Sequence, residues 1–424
     1  MNSAATRQKV AAGLRRRHLK ERIFRTAGML ATGVGVVFLV VFFASLIGQG
    51  ASAFGQTFVR LDVNLSAELL APSGGFDDAE ADYDAVVQQS LRDRFPEVSG
   101  RNDRRELYQI ASIEAAFQVR DLIANEPSLI GSQQSLWVPA AANIDMLNKG
   151  RIDPDSDPST RKVSDRQIEW VRALQSAGEL ERRFNFALFT NGDSREPELA
   201  GIRGALMGSF YMLTVTLLLA FPIGVAAAVY LEEFAPRNRW SDLIEVNINN
   251  LAAVPSIIFG LLGLSVFINW MSLPRSAPLV GGLVLSLMTL PVIIIASRAA
   301  IQAVPSSIRD GALGLGASRM QVVFHHVMPL SLPGMLTGTI IGMSRALGET
   351  APLLMIGMVA FIVDVPGGFV DPATALPVQV YLWADSAEPA FRERTSAAIL
   401  VLLAFLLLMN LAAVLLRRRM ETRL

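Results

Sequence analysis

Apolar residues gather in six runs along this chain, at 27–48, 206–231, 252–270, 279–296, 331–363 and 396–416. Each reaches or approaches the length of about 20 residues that a helix needs to cross the hydrocarbon core of a bilayer. Between the first two runs lies a long polar stretch, 49–201, in which apolar positions recur at helical spacing over 82–91, 106–125 and 165–184 and predict amphipathic helices. The fifth run is longer than one span and carries Arg345 and Glu349, so part of it is expected to line a protein interior. The pattern predicts an all-α membrane protein of about six transmembrane helices, with a mainly helical insertion outside the membrane.

Charge orients these runs. The first 26 residues are strongly basic (Arg7, Lys9, Arg15, Arg16, Arg17, Lys20, Arg22 and Arg25 against Glu21), and Arg417, Arg418 and Arg419 follow the last run. By the excess of cations on the cytoplasmic side, both termini are expected inside. The expected organisation is a cytoplasmic N-terminus (1–26), a first transmembrane helix (27–48), a periplasmic accessory segment (49–201), a transmembrane core (202–416) with a cytoplasmic loop at 298–330, and a cytoplasmic tail (417–424). In 50–200 Asp and Glu outnumber Lys and Arg by about nine, although the whole chain is formally neutral. That balance makes the segment a poor primary anion site and predicts that it packs beside the core. Ala51-Ser52-Ala53 has the form of a signal-cleavage site, but the apolar run before it is longer than the usual 7–15 residues, and the run is expected to stay as a helix.

Composition removes whole classes of chemistry. Hydrophobic residues make up 51% of the chain and charged ones 18%, which does not suit a soluble globular protein of this length or a nucleic-acid binder. There is no cysteine and there are three histidines (His18, His325, His326), so a metal centre lacks ligands and no cofactor is expected. None of the four lysines follows a glycine in a phosphate-binding loop, so any ATP must be hydrolysed by another subunit and the chain is not an enzyme by itself. Aspartates alternate in RIDPDSD (151–157), but the glycine and terminal glutamate of a calcium loop are missing, which leaves a solvated turn.

Two local patterns carry the functional reading. Over 298–334 a polar, turn-bearing segment separates two apolar runs. Val304-Pro305 should end one helix, Ser306 or Ser307 should cap the next with Asp310 in its first turn, and Gly311, Gly314 and Gly316 should make the chain turn. Ser318 then caps a second helix, and Pro329 marks the start of the fifth run. Such a protruding element suits a pocket on a soluble partner. The second pattern is Arg345 and Glu349, four apart on one helix face within the membrane. They read either as an ion pair that fixes packing or as a path for an anion, since arginine offers a planar fork of donors to phosphate-like groups. Gly342 and Gly348 should let a neighbouring helix approach.

Taken together, these residues resemble the PstA-type permeases of the bacterial phosphate ABC importer. The pieces are LRRRHLKERIF (14–24), FPIGVAAAVYLEEFAP (221–236), NINNLAAVPSIIFGLLGL (247–264), SSIRDGALGLGASRMQVVFHHVMP (306–329), SRALGETAPLL (344–354) and LPVQVYLW (376–383). The resemblance implies an ABC type I importer (MetI-like) permease core in the bacterial inner membrane. Its partners would be a homologous second permease subunit, a dimer of a cytoplasmic ATP-binding subunit, a periplasmic phosphate-binding protein and membrane lipid, with no nucleic acid. It implies an ATPase coupling loop carried by Arg309, Asp310, Gly311, Ala312, Gly316, Ala317, Ser318 and Pro329, and a substrate path through Arg345, Glu349, Thr350 and Arg298. The loop departs from the family pattern in Asp-Gly-Ala at 310–312 for Glu-Ala-Ala, in His326 for Ile and in Met328 for Leu. The family's periplasmic connection is short, so the role of 49–201 does not transfer. Rival readings are a permease for another oxyanion such as sulfate or molybdate, and a membrane sensor that uses the 49–201 segment; only eight residues, with no output domain, follow the last run.

Overall fold

The computed structural model describes residues 3–70, 81–159 and 161–420. Five helices are long and apolar enough to cross a membrane: Arg17–Phe54, Arg203–Phe234, Pro278–Gln302, Arg319–Gly348 and Ala390–Arg419. The third apolar run is different. It belongs to a pair, Arg239–Ala252 and Ser256–Trp270, bent by 102° at the break. Pro255 explains the bend, because the residue before a proline is driven out of the helical region and the helix ends there.

The fifth run is also broken. Its helix, Met328–Gly348, stops before Glu349, whose backbone is extended (φ −77°, ψ 122°), and a short helix restarts over Ala351–Met355. Pro352 is the physical cause: it has no N–H to give to the carbonyl of Gly348, and its ring would collide with that carbonyl. Arg345 therefore lies in the last turn of a helix, not in the middle of a continuous span, and Glu349 lies just past its end.

The long helices pack through small residues. A side-chain carbon on Gly338 would come within 2.1 Å of the Ala296 side chain, and one on Gly334 within 2.6 Å of Ala300, so Pro278–Gln302 and Met328–Gly348 touch almost backbone to backbone. Gly342 makes only ordinary contacts at 3.8–3.9 Å and Gly348 faces open space, so the expected close approach belongs to Gly334 and Gly338 instead.

The polar segment builds a unit with its own core of Val59, Leu61, Val63, Leu91, Leu107, Ile110 and Trp170, among others. Three strands, β1 (Gly55–Asn64), β2 (Gln133–Pro139) and β3 (Leu180–Phe184), form an antiparallel sheet in the order β2-β1-β3. Helices cover it at Tyr83–Arg94, Arg101–Tyr108, Glu114–Asn125 and Asp165–Ser176. The expected helix over 106–125 is thus two helices, and the last five residues of 165–184 are strand β3. The unit remains mainly helical, but its centre is a sheet that the helical periodicity does not announce.

Buried charges tie this unit to the membrane helices. Lys149 lies between Asp145 (2.6 Å) and Glu393 (3.2 Å), and all three side chains are nearly inaccessible. Arg394 is buried beside them and donates to the carbonyl of Ala200 at 2.6 Å. Nearby, Trp383 donates to Asp193 at 2.9 Å. Burial raises the Asp193 carboxyl above its ordinary range, against the lowering effect of that bond. Burial likewise raises Glu198, one of whose carboxylate oxygens is buried without a partner.

Candidate functional site

The segment after Pro278–Gln302 forms a helix at Ser306–Gly314, a tight turn, and a second helix from Arg319. Pro305 occupies the capping position of the first helix, so neither Ser306 nor Ser307 caps it and Asp310 lies beyond its first turn. The turn depends on Gly316, at φ +90°, where a side chain would be strained. It is closed by the N–H groups of Gly316 and Ala317, which donate to Leu313 and Ala312. Ser318 does cap the second helix, through a reciprocal pair of bonds with Gln321. Ala312 is buried against Val304, Val322 and Val323, which fixes the two helices to each other.

The outer face of this segment is open. Leu315 is 92% exposed, and Leu313, Met320 and Phe324 are also exposed, as are Asp310, Gly311 and Pro329. These apolar side chains form an exposed patch at the tip of the segment.

Its base is clamped. Arg309 donates to Glu233 through Nε (3.1 Å) and Nη2 (2.8 Å), and to the carbonyls of Ile301 and Val304 at 2.9 and 2.7 Å. Arg298 donates to Glu232 at 2.5 Å and to Glu245 at 3.0 Å. Glu232 and Glu233 lie on a π-helical turn, Tyr230–Phe234, that ends the second long helix. Two adjacent glutamates thus hold two arginines, one near the end of the Pro278–Gln302 helix and one in the Ser306–Gly314 helix that follows. Neither glutamate stands out in the sequence except as one of two acids directly after a long apolar run.

Arg298 is not brought to Arg345. Because Gly338 faces Ala296 and Gly334 faces Ala300, Arg298 is level with position 336, and Arg345 lies roughly 14 Å further along the axis. Arg345 and Glu349 do meet, Nε to Oε1 at 3.3 Å, with half of the arginine side chain exposed and the carboxylate more enclosed. Thr350 follows with its carbonyl accepting from Leu353 and Leu354. Ser344, beside Arg345, donates to Asn410 of the C-terminal helix at 2.7 Å, a second polar contact that helical spacing does not reveal. The result is a cation with free donors at the broken end of a helix, held on one side by a carboxylate. It can accept an oxyanion on the other. Among the described residues no group of side chains is arranged to hold a metal ion.

A family model described as "Binding-protein-dependent transport system inner membrane component" matches residues 220–422, and one described as "Domain of unknown function (DUF3333)" matches residues 11–158. The "Probable ABC transporter permease protein YqgI" of Bacillus subtilis is 35% identical over 173 residues, 41% of this chain; the chain spans 58% of that relative's length. The "Phosphate transport system permease protein PstA 1" of Mycobacterium tuberculosis is 31% identical over 217 residues, 51% of this chain and 70% of the relative. A solved chain of the MetNI methionine ABC transporter, inward-facing, aligns at 16% identity with a TM-score of 0.42, over 52% of this chain and 96% of that one.

Proposed function

This chain belongs to the binding-protein-dependent transport system inner membrane components, as a PstA-type permease, and from that premise we propose that it forms half of the path of an ATP-driven phosphate importer. The observation that carries the reading is the clamped segment at 305–327, with an exposed apolar turn at one end and Arg309 locked to two membrane helices at the other. A push on Leu315 or Met320 is passed to the Arg203–Val229 and Pro278–Gln302 helices without first bending a soft joint.

The turn docks on a cytoplasmic ATP-binding subunit, present as a dimer so that a second, homologous permease is served in the same way. Both termini lie in the cytoplasm, and the sheet-containing unit lies in the periplasm, where it stands beside a phosphate-binding protein. Closure of the ATPase pair biases the permeases between inward-open and outward-open states, because it favours one state over the other. Arg345, oriented by Glu349, meets phosphate during that exchange. Arg298 serves the clamp rather than the path, since its fork is taken by Glu232 and Glu245.

Purification of the tagged chain from its host membrane tests this. Co-purification of a second permease and an ATP-binding subunit, with phosphate-dependent ATPase activity that is absent from the chain alone, is expected. ATPase activity in the isolated chain, or its isolation without either partner under mild detergent, would refute the proposal.

A further inference from the structure

A second anion site lies where the polar unit meets the membrane helices. A cavity of about 580 Å³ opens between the end of the N-terminal helix, the Arg151–Lys162 loop and the start of the C-terminal helix. Four cations, Arg151, Arg161, Lys162 and Arg392, line it together with two acids, Asp153 and Glu393. This local excess is the reverse of the unit's overall acidic balance.

Arg161 and Lys162 are paired with Asp165 and Glu388, outside the lining, but Arg151 and Arg392 have no carboxylate partner among the described residues. Glu393 is engaged by Lys149, which lies outside the lining, and Asp153 accepts from the backbone of its own loop at Asp155. Arg151 donates only to neutral oxygens, the carbonyls of Gly48 and Gln49 and the hydroxyl of Ser52. Arg392 is exposed and, among the described residues, no carboxylate lies within ion-pair distance of it. Lys162 reaches Glu388 at 2.9 Å on the half-open rim.

Arg161 supplies the independent sign. Its side chain is 4% exposed, and its terminal nitrogens donate to Pro154 and Asp165, yet its Nε is buried with no hydrogen-bond partner. A buried donor without an acceptor is destabilising, because it has lost its bond to water and gained none. An anion in the cavity that reached Nε would remove that penalty.

From the cavity, the two arginines without a carboxylate partner among the described residues, Arg151 and Arg392, and the orphaned Nε of Arg161, we propose that this junction binds a phosphate-class anion, at a site separate from Arg345. A phosphate group suits it, because several oxygens can accept from Arg392, Lys162 and Arg161 at once, and guanidinium forks match that geometry. The cavity sits at the ends of two membrane-crossing helices, so the phosphate can arrive as the headgroup of an anionic phospholipid or as the free ion.

Two probes separate those sources, both on the full chain. In phosphatidylcholine nanodiscs, binding of radiolabelled inorganic phosphate is measured in an Arg345→Gln background, which removes the path site. In nanodiscs of phosphatidylcholine with phosphatidylglycerol, retained phosphatidylglycerol is counted by native mass spectrometry after transfer to detergent. Arg392→Gln, an exposed substitution that leaves folding intact, should weaken one of these by about tenfold, the loss of one charge-assisted contact. A fall in phosphate binding supports the site with the free ion as ligand, and a fall in retained lipid supports it with the headgroup. If neither probe responds to Arg392→Gln or to Arg161→Gln, the proposal is overturned, whatever the transport path does.

Discussion

Arg309 and Glu233, 76 residues apart in the chain, meet through two hydrogen bonds of 3.1 and 2.8 Å to a single carboxylate oxygen. The same guanidinium donates to the carbonyls that end the Pro278–Gln302 helix. One side chain therefore joins three pieces: the segment that presents the exposed turn, the helix before it, and the helix ended by Glu233. Both partners are largely shielded from water, at 23% and 12% exposure, so the contact is stronger than an ordinary surface pair.

Removing this clamp should uncouple the segment from the membrane helices. Arg309→Gln is expected to lower stability by about 1.5–3 kcal/mol, the scale of a hydrogen-bonded charge. Phosphate uptake should fall much further than the amount of protein in the membrane. Exchanging the two residues, Arg309→Glu with Glu233→Arg, should recover part of the uptake; wild-type uptake in Arg309→Gln alone would refute the clamp.

The turn can be tested without touching any charge. Gly316 holds φ +90°, which disfavours any L side chain by about 1–2 kcal/mol and a β-branched one by more. Space around it is open, so Gly316→Val acts through backbone conformation alone. Membrane insertion should be normal while ATPase binding and uptake are lost. Uptake at the wild-type rate would show that the turn does not dock.

Arg345 and Glu349 separate a packing role from a transport role. Arg345→Gln should assemble and fail to transport, and Arg345→Lys should be intermediate, keeping the charge and losing the planar fork. Swapping the two charges places a carboxylate where the anion passes and should also abolish uptake. An assembled Arg345→Gln or charge-swapped complex that imports phosphate normally would remove Arg345 from the path.

At the junction, Lys149→Met leaves Asp145 and Glu393 facing each other in a dry site, and such breakage of a buried pair costs about 3–5 kcal/mol. The polar unit should become protease-sensitive at lower temperature, with the membrane helices intact. Equal protease resistance in Lys149→Met and wild type would mean that the charges do not hold the unit in place.

Glu198 gives the junction a pH dependence. Burial raises its carboxyl above the ordinary value of 4.5, so the folded state holds the proton more tightly than the unfolded chain. Its favourable contribution is complete below that value and is lost as the pH rises through the raised one. Asp193 is shifted the same way by the same cause. Glu198→Gln has no such titration. The melting temperature of the variant relative to wild type should climb as the pH rises above 4.5, and a flat difference would contradict the assignment.

The sequence by itself determined the membrane class, the position of the long helices and the place of the polar segment around Gly316. All of these rest on local sums or on residues a few positions apart: a window of hydropathy, a glycine where the chain must turn. Strand β1 was within reach on the same terms, since Val59, Leu61 and Val63 are buried in alternation with Arg60, Asp62 and Asn64, a period of two rather than of a helix. Only the tertiary structure decided the rest. The partners that hold the fork of Arg298, Glu232 and Glu245, stand 66 and 53 residues earlier in the chain. Glu349 looked like part of a helix face, although Pro352 three residues later ends that helix at Gly348. The basic cavity at the junction brings together Arg151 and Arg392, 241 residues apart in the chain. A charge's role depends on the field and the partners around it, and those come from chain segments that only folding brings together.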